Sequence, residues 1–429
     1  MPKAPRLSQR ALWAAGQPIS RLMHLALAHR ELVSLAAGFV DDATLPAAEV
    51  SEAIGRLLGD ARHARRALQY GTTPGHSGLR EAVLSRLLTA DHVTAAESPL
   101  TVDRVVVTAG SNQLLHLVAD TLLDPGDIVL CASPSYFVFL GSLGNVGARA
   151  VGIETDDQGI IPQALDEELA RRQRCGELDL IKAIYVVSYF DNPASITLAA
   201  ERRGAIVEIA KRWSQAGRIY VIEDAAYRDL RYDGDDPPSL LSYDHEGDTV
   251  ILAETFSKSF SPGVRVGWGF LPPELVAPLC EQKGNIDFGS PNFAQYVMAE
   301  VLELGLLEPH LEVLRDRYRE KRDAMVEALE TSLGDLDGAS WLVPDGGLYV
   351  WLALPEEIDT GSAGPLFQHA LEEGVLYVPG EYCYPPAGQP ARRNMARLSF
   401  GVQDADGIRR GVAALARAAQ RVTVGAAKA

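Results

Sequence analysis

Cysteine is scarce: four in 429 residues, at Cys131, Cys175, Cys280 and Cys383. They stand far apart, with no Cys-x-x-Cys and no histidine at ligand spacing, so neither a disulfide framework nor a metal site is implied. Free thiols in a cytoplasmic setting account for them. No apolar run is long enough for a membrane span and no signal peptide is present, so neither membrane insertion nor export is expected. No Asn-x-Ser/Thr sequon occurs either. Basic residues are outnumbered 40 to 57, and the net charge of −17 opposes nucleic acid and anionic membranes as partners. Gly-x-Ser-x-Gly, His-Glu-x-x-His, the P-loop and Gly-x-Gly-x-x-Gly are all missing. The hydrolase-elbow, zincin, nucleotidase and dinucleotide readings lose their main support with them.

What is present is ordinary soluble-protein composition, 47% hydrophobic and 23% charged. From about residue 100 to 271, apolar runs at 105–108, 128–131, 148–153, 181–187, 219–222, 250–254 and 267–271 alternate with helical patterns. Alternating βα units predict an α/β fold: a mostly parallel sheet flanked by helices. After Asn292 one long helical pattern runs to Leu333. Beyond it, runs at 346–352, 374–378 and 397–400 alternate like half-buried strands and predict a smaller α+β domain. The expected division is an amino-terminal segment over 1–52 that completes the small domain and covers the site, a large domain over 53–292, and a small domain over 293–429. The Pro/Gly-rich stretch 384–390 reads as a loop near the substrate entrance.

The most informative stretch is Thr255-Phe256-Ser257-Lys258-Ser259-Phe260-Ser261-Pro262-Gly263-Val264-Arg265-Val266-Gly267-Trp268. An amine flanked by hydroxyls, with a guanidinium beyond a Pro-Gly turn, suits a cofactor with an aldehyde at one end and a phosphate at the other. Lys258 fits a Schiff-base role, and Arg265 with Thr255 and Ser257 fits the phosphate. A solvated lysine and a surface arginine are the bland alternative. Upstream, the run 105–108 leads through Ala109-Gly110-Ser111-Asn112 into a helical pattern, a turn that aims backbone N–H groups at an anion. An ordinary helix cap is the alternative there. Tyr136, just past the run 128–132, offers an aromatic face to a pyridine ring or sits in the core. Asn192-Pro193 and Glu223-Asp224-Ala225-Ala226-Tyr227 each follow a strand run, where open α/β sheets deliver functional groups.

Taken together, this fourteen-residue run resembles the lysine signature of fold-type I pyridoxal-phosphate enzymes, in particular the class I/II aminotransferases of the kynurenine/aminoadipate kind, and the other motifs fall in that family's order. The resemblance implies pyridoxal 5'-phosphate held by Lys258 as an internal aldimine. It places Gly110, Ser111, Asn112, Thr255, Ser257 and Arg265 on the phosphate, Tyr136 on the ring face, Asp224 on the pyridine nitrogen, and Asn192 and Tyr227 on the phenolic oxygen. Lys258, Asp224 and Tyr227 are thereby the catalytic candidates. Met395-Ala396-Arg397-Leu398-Ser399 resembles the family motif whose arginine clamps the substrate carboxylate, with Arg392 and Arg393 as weaker alternatives to Arg397. Asn192 and Gly38 would also border the substrate. Leu68-Gln69-Tyr70-Gly71 resembles the segment that reaches across a homodimer, so Tyr70 would serve the partner's phosphate and the two active sites would be shared across the interface. The implied activity moves the amino group of an L-amino acid to a 2-oxo acid by a ping-pong cycle. The alternatives are a lyase, decarboxylase or oxidase on the same cofactor and, from another class, a transcription regulator that keeps the fold for sensing. Acidic charge and the roughly fifty residues ahead of the first strong helical pattern count against the last. The chain departs from the family at one place: Asn192-Pro193-Ala194-Ser195-Ile196-Thr197 has Ser195 where most members have a turn glycine. Without glycine's freedom at positive φ, the loop is expected to take another path.

Overall fold

The computed structural model describes residues 6–15, 17, 18, 21, 22, 25, 29 and 31–426. The apolar runs of the middle of the chain become strands of one nine-stranded sheet. Its main path runs Ala387–Gly388, Arg149–Asp156, Ile128–Ser133, Ile181–Val187, Tyr220–Asp224, Val250–Thr255, Gly267–Phe270, Val105–Thr108, and Gly159–Ile160 pairs with Arg149–Asp156 off that path. Neighbours along the path are parallel except for Gly267–Phe270, which lies antiparallel to both of its partners. The runs are apolar on both faces because helices cover both, as parallel sheets require. Ser111–Leu122, for example, buries Leu114, Leu115, Leu117 and Val118 and packs against Val250–Thr255 and Gly267–Phe270. Each such side chain contributes about 1.5–3 kcal/mol by leaving water.

This topology collects the site. Thr108, Ser133, Val187, Asp224 and Thr255 each end a strand of the parallel set. The reversed strand begins at Gly267, so the residues just before it, Arg265 among them, reach the same edge.

A second, four-stranded antiparallel sheet follows the order Ser340–Trp341, Tyr349–Ala353, Met395–Ser399, Val378–Pro379. Trp351 pairs with Arg397 in its register. The run 374–378 is not one half-buried strand. Val375–Leu376 pairs parallel with Val33–Ser34 and Val378–Pro379 joins the four-stranded sheet, and all five residues from 375 to 379 are buried. Tyr377 marks the change of partner, its hydroxyl donating to the Thr360 carbonyl at 2.8 Å.

Two further expectations give way. The long helical pattern is two helices, Asn292–Glu303 and Leu307–Leu333. Gly305, at φ 67°, ends the first, and the N–H groups of Gly305 and Leu306 turn back to Leu302 and Val301 at 3.1 and 3.0 Å, a glycine-capped helix end. The stretch 384–390 is not all loop, because Ala387–Gly388 adds an edge strand beside Val151 and Gly152. Leu307–Leu333 also anchors the amino-terminal segment. Buried Lys321 donates to Asp41 Oδ1 at 2.7 Å and to the Gly401 carbonyl at 3.0 Å, which fixes the chain just past Ala36 and Gly38. Among the described residues no helix is long and apolar enough to cross a membrane.

Candidate active site

After the strand Val105–Thr108, Gly110 takes φ 85° and leads straight into the helix Ser111–Leu122, with no side-chain cap hydrogen bond on its first turn among the described residues. The unpartnered N–H groups of that turn, with the positive end of the helix dipole, form an anion seat. Arg265, itself in the left-handed region, closes it from the other side. Its Nη2 donates to the Ala109 carbonyl at 2.9 Å and its Nη1 lies 3.4 Å from Ser257 Oγ. A Cβ added to Gly110 would lie 2.5 Å from Arg265 Nη2, so glycine is what lets the guanidinium draw up to the turn. Thr255 Oγ1 donates to Ser257 Oγ at 2.9 Å, completing a wall of hydroxyls.

Lys258 belongs to a single helical turn, Phe256–Ser259, that follows directly on the strand ending at Thr255. Its Nζ donates to the Gly38 carbonyl at 2.6 Å. Burial pulls the amine below its ordinary range; Tyr349 opposes that shift, and the cations Arg397 and Arg265 add to it. Asp224 is the last residue of its strand, two beyond the expected strand end. Burial pushes its carboxyl up to about 6, against hydrogen bonds from the Tyr185 hydroxyl at 3.0 Å and the Ala226 N–H at 3.2 Å. A buried carboxylate so placed calls for a cation opposite it.

Arg397 is 3% exposed. Its guanidinium lies 4.3 Å from the Tyr349 ring centre and 5.5 Å from that of Phe137. Nη1 donates to Asn192 Oδ1 and Nη2 to the Ala36 carbonyl, both at 2.7 Å, while Nε is buried with no acceptor among the described residues. A buried guanidinium donor of this kind suits an anionic partner such as a carboxylate. Two cavities meet here, of about 160 and 150 Å³, sharing Tyr136, Asn192, Tyr227 and Lys258. The first is the polar chamber of Ser111, Asn112, Asp224 and Arg265. The second is walled by Leu22, Ala36, Phe39, Phe137, Val138 and Val378, with Arg397 also in its lining.

The fold thus brings Gly110, Ser111, Asn112, Tyr136, Asn192, Asp224, Tyr227, Thr255, Ser257, Lys258, Arg265, Arg397 and Gly38 to one place. Tyr136 donates to Asn112 Oδ1 at 3.4 Å. Tyr227 hydrogen-bonds Tyr349 hydroxyl to hydroxyl at 3.1 Å. Tyr70 stands apart, 85% exposed, its ring 6.1 Å from that of Phe288. Arg392 and Arg393 are exposed, and Arg393 pairs with Asp359 at 3.2 Å. The Asn192 loop corrects the sequence reading: Ser195 takes the left-handed conformation itself, at φ 57°, so the turn survives without glycine. Sequence reasoning missed Tyr185, Ala36 and Tyr349. Tyr185 left one signal, a hydroxyl in a mostly apolar central strand; Ala36 acts through its carbonyl and left none.

The residues fit pyridoxal phosphate: an anion seat, a buried amine, a buried carboxylate awaiting a cation, and a stranded arginine donor on the far side. Such a site on the carboxyl edge of this sheet defines a pyridoxal-phosphate-dependent transferase of fold type I. The chain belongs to the family described as aminotransferase class I and II, whose profile matches residues 30–415. An aromatic-amino-acid aminotransferase of Thermococcus litoralis is 32% identical over 409 residues, 95% of this chain and 93% of that protein. A Bacillus subtilis protein named as an uncharacterized HTH-type transcriptional regulator, YisV, is 31% identical over 91% of this chain and 74% of its own length. Among solved structures, the kynurenine aminotransferase of Pyrococcus horikoshii matches with a TM-score of 0.87 and 31% identity, over 97% of each chain.

Proposed function

We propose that this aminotransferase moves the amino group of an L-amino acid to a 2-oxo acid by a ping-pong cycle with Lys258 as covalent anchor of the cofactor. The observation that supports it is that Lys258 and Arg397 line one chamber, so that an amine and a carboxylate receptor could meet the same substrate. When bound, pyridoxal phosphate supplies the aldehyde for imine exchange and a ring that withdraws electrons.

The chain's own groups do the rest. Ser111, Asn112, Thr255, Ser257 and Arg265 hold the phosphate, and Tyr136 covers the ring face. Asp224, oriented by Tyr185, keeps a proton on the ring nitrogen by charge pairing. Arg397 receives the substrate carboxylate on Nε and the adjoining amino group of its fork, and Asn192 fixes its tilt. Lys258, its basicity lowered by burial, takes the Cα proton as general base and returns it as acid. The apolar wall excludes water, which strengthens each of these charges.

Two copies would share their sites. The exposed pair Tyr70 and Phe288 offers the aromatic patch for that contact, with Tyr70 reaching the partner's phosphate seat. Four unpaired cysteines fit work in the cytoplasm. A panel of amino donors, each followed by the absorbance change of the bound cofactor and by oxo-acid formation, tests the reading. Ammonia release without consumption of an acceptor would instead indicate a lyase or oxidase.

A further inference from the structure

Ser195 holds a backbone conformation that residues with a Cβ seldom adopt. It is 7% exposed, and its Oγ donates to the Tyr349 carbonyl at 2.7 Å. Five residues earlier Phe190 is also left-handed, at φ 43°. Asn192 lies between these two strained positions.

The loop does not need a serine to close on itself. The Ser195 N–H donates to the Asp191 carbonyl at 2.7 Å and the Asp191 N–H to the Ile196 carbonyl at 3.0 Å, while the Ile196 N–H donates to Asp191 Oδ1 at 2.8 Å. None of these bonds uses the side chain at 195. Glycine there would make the same turn with less strain. What serine adds is one hydroxyl, and that hydroxyl crosses to the other sheet.

It lands on the first residue of the strand Tyr349–Ala353, which pairs with the strand that carries Arg397. The Tyr349 ring lies under the Arg397 guanidinium, and Arg397 bonds back to Asn192 in the same loop as Ser195. The links close a circuit: Ser195 to the Tyr349 backbone, the Tyr349 ring to Arg397, Arg397 to Asn192. Phe190 wedges the loop from its other end, since a Cβ on Gly347 would lie 2.8 Å from the Phe190 Cβ.

We propose that Ser195 is a positioning residue, held in a glycine's conformation so that its hydroxyl fixes Tyr349 and Asn192 around the arginine that receives the carboxylate. This rests on the reading of Arg397 as the carboxylate receptor given above. Two substitutions separate strain from hydroxyl. Ser195→Gly removes both; Ser195→Ala removes only the hydroxyl.

The test uses the cofactor-loaded protein, with 3-phenylpropanoate as an unreactive carboxylate in calorimetry, half-reaction kinetics with an amino donor, and thermal melting. Ser195→Gly is expected to melt no lower than wild type, yet to weaken 3-phenylpropanoate binding and raise KM by roughly tenfold, with kcat within about twofold, the size of one lost hydrogen bond. Ser195→Ala is expected to lose the same affinity and also to melt lower. Wild-type affinity in Ser195→Gly overturns the proposal, as does a lower melt in Ser195→Ala with affinity intact, because serine would then be filler. A wild-type protein that binds no carboxylate overturns it too. If wild type binds the carboxylate and Ser195→Gly weakens it, but no donor is transaminated, the transfer reading fails and the positioning role stands.

Discussion

The hydroxyls of Tyr227 and Tyr349 meet at 3.1 Å directly beside the Arg397 guanidinium, which lies 4.3 Å from the Tyr349 ring centre. One aromatic residue therefore touches both the cofactor side and the substrate side of the site. The two contacts are separable. Tyr349→Phe keeps the ring under Arg397 and releases Tyr227, so kcat should fall about fivefold to tenfold with KM within about twofold, as for one neutral hydrogen bond. Tyr349→Leu removes the ring, and KM for the amino donor should rise about tenfold through loss of the stacked cation. Equal KM values for the two variants, read in single-turnover kinetics, would deny the ring its role.

Arg397→Lys exchanges a planar fork for a point charge in a buried site. KM for amino acids should rise by about a hundredfold or more, because bidentate pairing is lost and Asn192 and Ala36 lose their donors. Cofactor binding should survive. A matching rise in KM for an amine that has no carboxylate would place the defect elsewhere.

Asp224 and Tyr185 make a pH prediction. The Tyr185 hydroxyl holds the Asp224 carboxyl down against the larger upward push of burial. In Tyr185→Phe that carboxyl should therefore rise further, and the acid limb of the kcat/KM profile should move to higher pH. Asp224→Asn should abolish the dependence and lower kcat by about a hundredfold or more through loss of a preorganised charge. An acid limb at the wild-type pH in Tyr185→Phe would contradict the pairing.

Three other carboxyls bear on stability, Glu223 fully buried and Asp191 and Glu254 partly so. Burial pushes Asp191 and Glu223 up to about 7 and Glu254 up to about 8. A carboxyl raised in the folded state binds its proton more tightly there than in the unfolded chain, so its contribution is fully present below the unfolded value and is lost as pH rises through the folded one. The cofactor-free protein should accordingly melt at lower temperature as pH rises from about 5.5 to 8.5, and Glu254→Gln should flatten the upper part of that slope. A melting temperature that climbs across this range would contradict these environments.

Much of the fold was legible because parallel strands are apolar on both faces and so stand out as short continuous runs between helical patterns. The runs at 105–108 and 181–187 match strands to the residue. Lys258, Arg265 and the Gly110 turn were legible because they are local: each places its chemistry within a few residues of a strand end. The break at Gly305 went unread because a helical pattern continues on both sides of it. Tyr377 hid a change of sheet, since burial on both faces removes the alternation that would mark it. Ala36 was out of reach because its contact with Arg397 joins residues 361 positions apart; Tyr349 shares a sheet with Arg397, but its meeting with the Tyr227 hydroxyl, 122 positions away, left no local mark. Ser195 was misjudged for a different reason: the missing glycine was visible, but not the cross-sheet hydrogen bond that accompanies its strain.

Everything in the proposed cycle depends on a covalent bond between Lys258 and the cofactor. Borohydride reduction of the cofactor-loaded protein, followed by digestion and mass spectrometry, reads this directly. A pyridoxyl mass is expected on the peptide containing Lys258 and none on Lys258→Ala, which should still bind the cofactor reversibly through its phosphate seat. A label on a different lysine, or an unlabelled Lys258 in a protein that transaminates normally, would contradict it.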